Sequence, residues 1–364
     1  MNIDIIAGAR PNFMKIAPII AAIQMAKNNG QNIDYRLVHT GQHYDKKMSG
    51  DFFEQLGIPE PHINLEAGGG TQAEQTAAIM IRYEKVLMEQ RPDLLLVVGD
   101  VTSTMACSIT AKKLNNIKVA HVEAGIRSGD LTMPEEINRM VTDAITDYFF
   151  TTTTTANDSL RRTGVADERI FFVGNTMIDT LLKNRSGFIQ PAIWKAAGLA
   201  PGNYIVMTLH RPANVDEEGL LKELITQIIQ HSKELQLIFP VHPRTAKILE
   251  TMGISHPRLH MIEPLGYLEF NYLVEKAKAV ITDSGGITEE TTVMGVPCMT
   301  LRDNTERPET ITIGTNELLG TDPKSIKPAL AKLFAGEWKK GGIPPLWDGH
   351  TAERIVEHLL QIAE

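Results

Sequence analysis

Cysteine is scarce in this sequence, since Cys107 and Cys298 are the only two among 364 residues. Two isolated thiols cannot form the disulfide framework of a small secreted protein, so we expect a reduced, cytoplasmic protein. Long apolar runs are also lacking, because no stretch approaches the roughly 20 residues that span a bilayer. The chain enters an apolar segment at Ile3 without the regions of a signal peptide. We therefore expect a soluble protein without a membrane partner.

An excess of positive charge is missing as well. The chain has 36 Lys and Arg residues against 44 Asp and Glu, a net charge of −8. This balance argues against nucleic acid as a partner, and it means that a phosphate-bearing ligand would need a local cluster of cations. The two cysteines are isolated, and no His-x-x-x-His or Glu-x-x-His pair falls on a predicted helix. We therefore expect no metal and no cofactor.

The apolar content of 43% is enough for two buried cores, and the length favours two domains. Short apolar runs alternate with helical stretches such as Thr71–Glu89 and Ser103–Leu114. This alternation predicts an α/β fold of two doubly wound, Rossmann-like domains that face a central cleft. The predicted strands are Ile3–Ala7, Tyr35–His39, Leu94–Val98, Val119–Val122 and Tyr148–Thr151 in the first half, and Tyr204–Leu209, Leu237–Val241, Leu259–Ile262, Ala279–Thr282 and Cys298–Leu301 in the second.

The domain bounds follow from where this pattern restarts. We predict an N-terminal domain over residues 1–175 and a C-terminal domain over residues 176–350. A helix over residues 351–364 is predicted to pack back on the N-terminal domain.

A Ser-Gly-Gly turn, Ser284 to Gly286, joins a predicted strand to a predicted helix. Such a turn presents backbone N–H groups at the positive end of the helix dipole, where phosphates bind. Glu290, four residues further on, is placed to accept hydrogen bonds from a ribose. Phosphates held by the backbone and a sugar held by a carboxylate suggest a nucleotide-sugar, although an ordinary tight turn is the alternative.

Three carboxylates follow strands in the first half. Asp100 comes directly after a wholly apolar strand, where a carboxylate is costly unless it is bonded or functional. Glu123 ends the next strand. Glu135 lies at a predicted helix start, where it also fits a capping box with Thr132. Three carboxylates at one rim raise the pKa of at least one of them, which suits acid–base chemistry.

Cations and a histidine follow other strands. Arg10 and Lys15 lie beside the turn after the first strand, and Arg302 and Arg307 follow the last one. We expect these four to form the cation cluster, with a solvated surface turn as the alternative for the first pair. Arg139 lies one helical turn from Glu135. His210, which follows a strand, is a catalytic candidate because histidine titrates near neutrality. His242 occupies a similar position, where a hydrogen-bonded supporting role is equally expected.

Several short motifs follow one another along nearly the whole chain. They are Gly8-Ala9-Arg10-Pro11 with Lys15, Gly41-Gln42-His43, Val98-Gly99-Asp100, His121-Val122-Glu123-Ala124-Gly125, Pro134-Glu135-Glu136, Asn138-Arg139, His210-Arg211, Asp283-Ser284-Gly285-Gly286 and Thr305-Glu306-Arg307-Pro308. Together they resemble the non-hydrolysing UDP-N-acetylglucosamine 2-epimerases.

The resemblance implies a fold of the glycosyltransferase-B type, a homodimer, and a UDP-sugar as the substrate. It implies reversible conversion of UDP-N-acetylglucosamine to UDP-N-acetylmannosamine, by elimination and re-addition of UDP through 2-acetamidoglucal. It also implies that the C-terminal domain binds the UDP, and that neither a metal nor a nicotinamide takes part. The catalytic residues so implied are Asp100, Glu123, Glu135 and His210. The substrate-binding residues so implied are Arg10, Lys15, Arg139, Phe270, Ser284, Gly285, Gly286, Glu290 and Arg307.

Some positions depart from the family pattern. Some bacterial members of the family are activated by their own substrate, and these carry the motif Gln-His-Arg. In this chain the third residue of the motif is Tyr44, and the loop at residues 66–70 lacks an arginine. We therefore expect no second, allosteric UDP-sugar site. The motifs Gly-Ala-Arg-Pro and Gly-Gln-His-Tyr-Asp resemble those of the family branch that epimerises UDP-2,3-diacetamido-2,3-dideoxyglucuronate. This UDP-sugar is therefore an alternative substrate. A hydrolysing 2-epimerase, a retaining glycosyltransferase and a non-catalytic sensor are further alternatives.

Overall fold

The computed structural model describes residues 1–41, 56–114, 117–241 and 243–363, with the side chains of residues 10, 11, 212, 213 and 243–245 excepted. The chain forms two compact units. The first unit comprises Met1–Lys183 together with Pro345–Glu364, and the second unit comprises Asn184–Pro344. The chain therefore leaves the first unit after Lys183 and returns to it after Pro344.

Each unit is built on one parallel sheet. In the described part of the first unit the strands are β1 (Asn2–Ala7), β2 (Asp34–His39), β3 (Ile63–Asn64), β4 (Leu94–Val98), β5 (Lys118–Val122), β6 (Tyr148–Thr151) and β7 (Ile170–Phe172), in the order β3-β2-β1-β4-β5-β6-β7. In the second unit they are β8 (Tyr204–Thr208), β9 (Gln236–Pro240), β10 (Leu259–Ile262), β11 (Ala279–Thr282), β12 (Cys298–Thr300) and β13 (Asn316–Leu318), in the order β10-β9-β8-β11-β12-β13.

Helices connect the strands and cover the sheets. They are α1 (Arg10–Asn28), α2 (Gln72–Glu89), α3 (Thr102–Lys113), α4 (Pro134–Ile145), α5 (Thr154–Arg162), α6 (Thr176–Asn184), α7 (Ala192–Ala196), α8 (Pro212–Val215), α9 (Glu218–His231), α10 (Pro243–Thr251), α11 (Tyr267–Lys276), α12 (Gly285–Met294), α13 (Pro308–Thr312), α14 (Ile326–Phe334) and α15 (Thr351–Ala363). No helix in the described ranges is long and apolar enough to cross a membrane.

The predicted α/β class is confirmed: both sheets are parallel and flanked by helices. Four predicted strands, including Leu94–Val98 and Ala279–Thr282, have the observed bounds. Leu94–Val98 and Ala279–Thr282 are buried along their whole length, as central parallel strands require. The prediction missed β3, β7 and β13, which are only two or three residues long. Of these, β3 and β13 also contain polar residues.

The C-terminal segment is anchored in the first unit by polar contacts. Asp179 on α6 accepts hydrogen bonds from the backbone N–H groups of Thr351 (3.1 Å) and Ala352 (2.7 Å) at the start of α15. Trp347 is buried, and its Nε1 donates to the carbonyl oxygen of Thr152 at 3.2 Å. The side chain of Asp179 therefore satisfies two N–H groups that the helix itself leaves unpaired.

In each sheet the strand order reverses once, between β1 and β4 in the first unit and between β8 and β11 in the second. At such a point the loops from neighbouring strands leave in opposite directions, which opens a crevice at the carboxyl ends of the strands. Gly8 and Gly99 follow one pair of strands, and His210 and Asp283 follow closely on the other. The topology thus brings predicted site residues to both switch points.

Candidate functional site

Asn12 joins the two strand ends at the switch point of the first unit. Its Oδ1 accepts hydrogen bonds from the N–H groups of Gly8 (3.3 Å) and Ala9 (3.1 Å), and its Nδ2 donates to the carbonyl oxygen of Val98 (2.9 Å). Gly99 then turns the chain with a φ of +70°, a conformation that favours glycine. The buried Asn12 amide therefore fixes the loop that carries Asp100, a role that the sequence pattern did not indicate.

Lys15 and Glu123 form an ion pair beside this turn. Lys15 Nζ lies 2.6 Å from Glu123 Oε2, and the two side chains are 13% and 3% exposed. A Cβ at Gly99 would lie 3.3 Å from Nζ and 3.6 Å from Oε2, so glycine leaves room for the pair. Glu123 itself has a φ of +68°, a strained conformation that is frequent at functional sites. The turn thus carries a cation-paired carboxylate, and a carboxylate is one of the groups that act as general bases.

Arg139, on α4, supports the Asp100 carboxylate. Arg139 Nη2 lies 2.5 Å from Asp100 Oδ2, and Nη1 lies 2.8 Å from Glu136 Oε2. Asn138 Nδ2 also donates to the backbone carbonyl of Asp100 at 2.8 Å. Arg139 is buried, whereas the Asp100 side chain is 29% exposed. The structure thus shows Arg139 as a partner of two carboxylates, and its contact with substrate stays a prediction.

Glu135 and Glu136 have opposite environments at the start of α4. Glu135 is exposed, whereas Glu136 is buried and accepts hydrogen bonds from the N–H groups of Ser128 (2.9 Å) and Gly129 (3.2 Å). The predicted capping box is wrong: Met133 precedes the helix without a side-chain cap, and the Thr132 hydroxyl donates to Asp130 at 2.6 Å. Glu135 is therefore free of the structural role that competed with a catalytic one.

His121 forms a buried network that the sequence analysis did not assign. Its Nδ1 lies 2.7 Å from Asp143 Oδ1, and its Nε2 lies 2.8 Å from the carbonyl oxygen of Gly99. Asp143 Oδ2 also pairs with Arg127 (2.7 Å) and accepts from the Gly125 N–H (3.1 Å). Burial acts to raise the pKa of Asp143, but His121 and Arg127 outweigh it and lower this pKa. The network fixes the strand ends on either side of Glu123.

In the second unit, His210 and Asp283 follow closely on the neighbouring strands β8 and β11. His210 Nδ1 lies 2.6 Å from Asp283 Oδ1. The backbone N–H groups of His210 and Arg211 both donate to Asp283 Oδ2 at 2.9 Å. Asp283 was predicted only as part of a motif and not as a site residue. It could have been singled out in the same way as Asp100, because it too is a carboxylate that directly follows a buried strand.

The predicted phosphate cradle lies at the N-terminus of α12. Ser284 precedes the helix, and its backbone N–H donates to Thr282 Oγ1 at 3.0 Å; Gly285 and Gly286 form the first turn. A Cβ at Gly285 would lie 3.1 Å from Glu306 Oε1. The cradle therefore has a carboxylate beside it, which the sequence analysis did not foresee.

Glu290 is buried in the next turn of α12. Its Oε1 accepts a hydrogen bond from the Tyr267 hydroxyl at 2.9 Å and lies 3.5 Å from Asn271 Nδ2. Burial raises the pKa of Glu290 to about 7. Phe270, also on α11, is partly exposed and packs against the core of this unit. Whether Glu290 and Phe270 contact a nucleotide stays a prediction.

The predicted cations have carboxylate partners within their own units. Arg307 Nε lies 2.6 Å from Glu289 Oε1, and Arg302 Nη2 lies 2.6 Å from Glu306 Oε2. Lys15 pairs with Glu123 in the same way. The side chains of Arg10 and His242 lie outside the described residues. Buried cations require paired charges, and these carboxylates supply them. Whether the three described cations also contact a phosphate stays a prediction.

In the described ranges, no cluster of three or more His, Cys, Asp or Glu side chains could hold a metal ion.

The two doubly wound units place the chain in the class of α/β proteins with the glycosyltransferase-B type of fold. A lipopolysaccharide outer core galactosyltransferase has a similar fold, with a TM-score of 0.58 over 100% of both chains at 14% identity. Residues 25–360 match the family model described as UDP-N-acetylglucosamine 2-epimerase. The chain belongs to this family, which confirms the resemblance seen in its motifs.

Two relatives cover nearly the whole chain. The UDP-N-acetylglucosamine 2-epimerase of Methanocaldococcus jannaschii is 41% identical over 99% of both chains. Its crystal structure in complex with UDP-GlcNAc and UDP has a TM-score of 0.88 and covers 99% of this chain and 100% of that one. The UDP-2,3-diacetamido-2,3-dideoxy-D-glucuronate 2-epimerase of Pseudomonas aeruginosa is 37% identical over 100% of both chains.

Proposed function

We propose that this protein is an isomerase that converts UDP-N-acetylglucosamine reversibly to UDP-N-acetylmannosamine. This conclusion is carried by the similarity to the UDP-N-acetylglucosamine 2-epimerase of Methanocaldococcus jannaschii, which is 41% identical over 99% of the chain. The crystal structure of that relative contains UDP-GlcNAc and UDP. The paired carboxylates at the switch point of the first unit, Asp100 and Glu123, support the proposal.

The reaction we propose is an elimination followed by re-addition. A carboxylate takes the proton from sugar carbon 2, the electron pair of that bond forms the double bond to carbon 1, and the bond to the UDP oxygen breaks with its electrons going to UDP. UDP then adds back to the resulting 2-acetamidoglucal while carbon 2 is protonated on its other face. Asp100, Glu123 and Glu135 form the proposed acid–base set. Arg139 pairs with the carboxylate of Asp100, and Lys15 pairs with that of Glu123.

UDP is proposed to bind to residues of the second unit. The N-terminus of α12, with Ser284, Gly285 and Gly286, offers backbone N–H groups to the diphosphate. Glu290 is proposed to accept hydrogen bonds from the ribose, and Phe270 to contact the base. Arg307 is proposed to contribute charge, as are Arg10 and Lys15 of the first unit.

The test is exchange at carbon 2. UDP-N-acetylglucosamine is incubated with the protein in deuterium oxide, and the products are analysed by NMR. We expect deuterium at carbon 2 and a mixture of the two UDP-sugars. Free N-acetylmannosamine with UDP would instead indicate a hydrolysing enzyme, and UDP release only with an added acceptor would indicate a glycosyltransferase. Binding without any turnover would indicate a sensor.

A second candidate substrate is UDP-2,3-diacetamido-2,3-dideoxyglucuronate, because the Pseudomonas aeruginosa relative of that activity is 37% identical over the full length. Each UDP-sugar is supplied separately and kcat/KM is compared. A larger kcat/KM for the glucuronate would move the assignment to this second candidate.

We also propose that the protein is a cytoplasmic homodimer, as the family resemblance implies. Cys107 and Cys298 are buried free thiols, which fits a reducing compartment. Light scattering after size-exclusion chromatography is expected to give twice the chain mass of 40.3 kDa. A mass of one chain would contradict the dimer.

A further inference from the structure

One buried carboxylate holds one exposed imidazole in the second unit. The Asp283 side chain is 0% exposed, whereas that of His210 is 62% exposed, and their facing atoms Oδ1 and Nδ1 are 2.6 Å apart. We propose that Asp283 is a positioning residue that orients His210 for the reaction. This inference rests on the proposed function, in which His210 acts at the diphosphate.

The second oxygen of Asp283 fixes the carboxylate itself. Oδ2 accepts from the N–H groups of His210 and Arg211, both at 2.9 Å, and from Asn214 Nδ2 at 3.1 Å. The same carboxylate therefore holds the backbone of the loop and the ring that the loop carries. Neither the carboxylate nor the backbone of His210 is free to rotate away.

These contacts decide which ring nitrogen carries the proton. Burial acts to raise the pKa of Asp283, but the hydrogen bonds from the His210 ring and from the backbone outweigh it and lower this pKa. An ionised carboxylate can only accept hydrogen bonds, so Nδ1 must be the protonated nitrogen. Nε2 is then the ring nitrogen that is available for chemistry.

The position of Asp283 connects this ring to the proposed diphosphate site. Asp283 directly precedes Ser284, whose successors Gly285 and Gly286 open α12. When the bond between carbon 1 and the UDP oxygen breaks, that oxygen takes both electrons. When the ring carries a proton at Nε2 as well as at Nδ1, Nε2 donates a hydrogen bond to this oxygen, and Asp283 balances the positive charge of the ring. On re-addition the oxygen returns its electron pair to carbon 1 and the hydrogen bond is lost.

The competing explanation is that Asp283 only fixes the loop in place, since it accepts three hydrogen bonds from residues 210, 211 and 214. Asp283→Asn separates the two explanations. The amide oxygen still accepts from the loop, but the NH₂ group faces Nδ1 and forces the opposite ring tautomer. We expect kcat to fall roughly 100-fold or more, because a general acid or base contributes about that much, while UDP affinity by calorimetry stays within about threefold.

A double-mutant cycle tests whether Asp283 acts through His210. The double variant Asp283→Asn/His210→Ala is expected to have nearly the same kcat as His210→Ala alone. Asn214→Ala is the matched control, because it removes another contact to the same carboxylate without changing the tautomer, and its loss of kcat is expected to be much smaller than that of Asp283→Asn. A near-native kcat for Asp283→Asn, or losses that multiply in the double variant, would overturn the proposal.

A measurement without turnover keeps this inference separate from the epimerase assignment. Nitrogen-15 NMR of histidine-labelled protein is expected to show neutral His210 protonated at Nδ1 in the parent, and at Nε2 in Asp283→Asn. A parent protein with Nε2 protonated and Nδ1 bare would overturn the proposal, even if Asp283→Asn failed to fold. Absence of carbon-2 exchange together with the Nδ1 tautomer would instead show that the proposed reaction is wrong while the pairing stands.

Discussion

At the scale of single residues, Glu135 and Glu136 are neighbours with separable roles. Glu136 is buried against Arg139 and the backbone of residues 128 and 129, whereas Glu135 is exposed. We expect Glu135→Gln to lower turnover roughly 100-fold, as loss of an acid–base group does. Its free energy of unfolding should change by less than about 0.5 kcal/mol, because the site is exposed.

Glu136→Gln is the matched control for that substitution. Its NH₂ group must face an N–H or guanidinium donor that the carboxylate now satisfies, at a cost of about 1–3 kcal/mol of stability. Urea unfolding and steady-state turnover of both variants separate the two roles. Native turnover in Glu135→Gln would remove Glu135 from the catalytic set.

Glu290 predicts a pH dependence of stability in the ligand-free protein. Burial raises its pKa from 4.5 to about 7, so between these values the folded state keeps a proton that the unfolded state has lost. The contribution of Glu290 to the free energy of unfolding is therefore at its maximum below pH 4.5, and it is lost as the pH rises towards 7. The integrated change is about 3 kcal/mol, since each pKa unit corresponds to about 1.4 kcal/mol.

The check is urea unfolding of the parent and of Glu290→Gln at pH 5 and pH 8. Glutamine still accepts the Tyr267 hydroxyl but does not titrate, so the variant is expected to gain stability relative to the parent as the pH rises. Parallel pH profiles for the two proteins would show that Glu290 is already ionised in the folded state.

Residue types at strand ends could be predicted from the sequence, but their partners could not. Asp100 and Glu123 were singled out because each follows a buried apolar strand. Their cations, Arg139 and Lys15, were predicted instead to bind substrate, since a sequence of net negative charge does not reveal which cations its own carboxylates neutralise. Pairing depends on distances between elements that lie far apart in the chain.

At the scale of elements, the start of α12 depends on Gly285. In Gly285→Ala the new Cβ would lie 3.1 Å from Glu306 Oε1 and 3.8 Å from Arg302 Nη1. Arg302 holds Glu306 at 2.6 Å, so the carboxylate has little freedom to move away. We expect UDP affinity by calorimetry to fall at least about tenfold, because one charge-assisted hydrogen bond contributes about 1.5–3 kcal/mol.

Gly219→Ala is a matched control in the same unit. Gly219 lies in the first turn of α9, where an added Cβ meets nothing within 4 Å. This variant is expected to keep native UDP affinity and to gain up to about 1 kcal/mol of stability, because alanine favours helix. Equal UDP affinity in both glycine variants would show that the start of α12 does not hold the diphosphate.

The elements themselves were the most predictable feature. Runs such as Leu94–Val98 and Ala279–Ile281 are apolar throughout because parallel strands are covered on both faces. Short edge strands such as β13 bury less and carry no comparable signal. The start of α4 was misplaced because Thr132 and Glu135 match a capping pattern, whereas Asp130 and Glu136 take the hydrogen bonds in the structure.

At the scale of the whole molecule, the open question is regulation by a second UDP-sugar. The family resemblance implies that such a site uses Gln-His-Arg and an arginine from the next loop. Tyr44 replaces the first cation, and its position lies outside the described residues. Arg82, on α2, contacts the described part of this loop: its Nη1 donates to the carbonyl oxygens of Leu65 (2.6 Å) and Glu66 (2.5 Å). This guanidinium is thus engaged by the backbone of the loop.

Loss of two charge-assisted contacts should cost several kcal/mol of affinity for a second ligand, at about 1.5–3 kcal/mol each. We therefore expect the rate to depend hyperbolically on UDP-N-acetylmannosamine, with no need for added UDP-N-acetylglucosamine to start the reverse reaction. Initial rates are measured with substrate freed of the other epimer. A lag that traces of UDP-N-acetylglucosamine abolish would show that other cations, such as Lys46 or Lys47, complete a second site. In that case the sequence change at Tyr44 alters the ligands of the regulatory site and leaves the regulation intact.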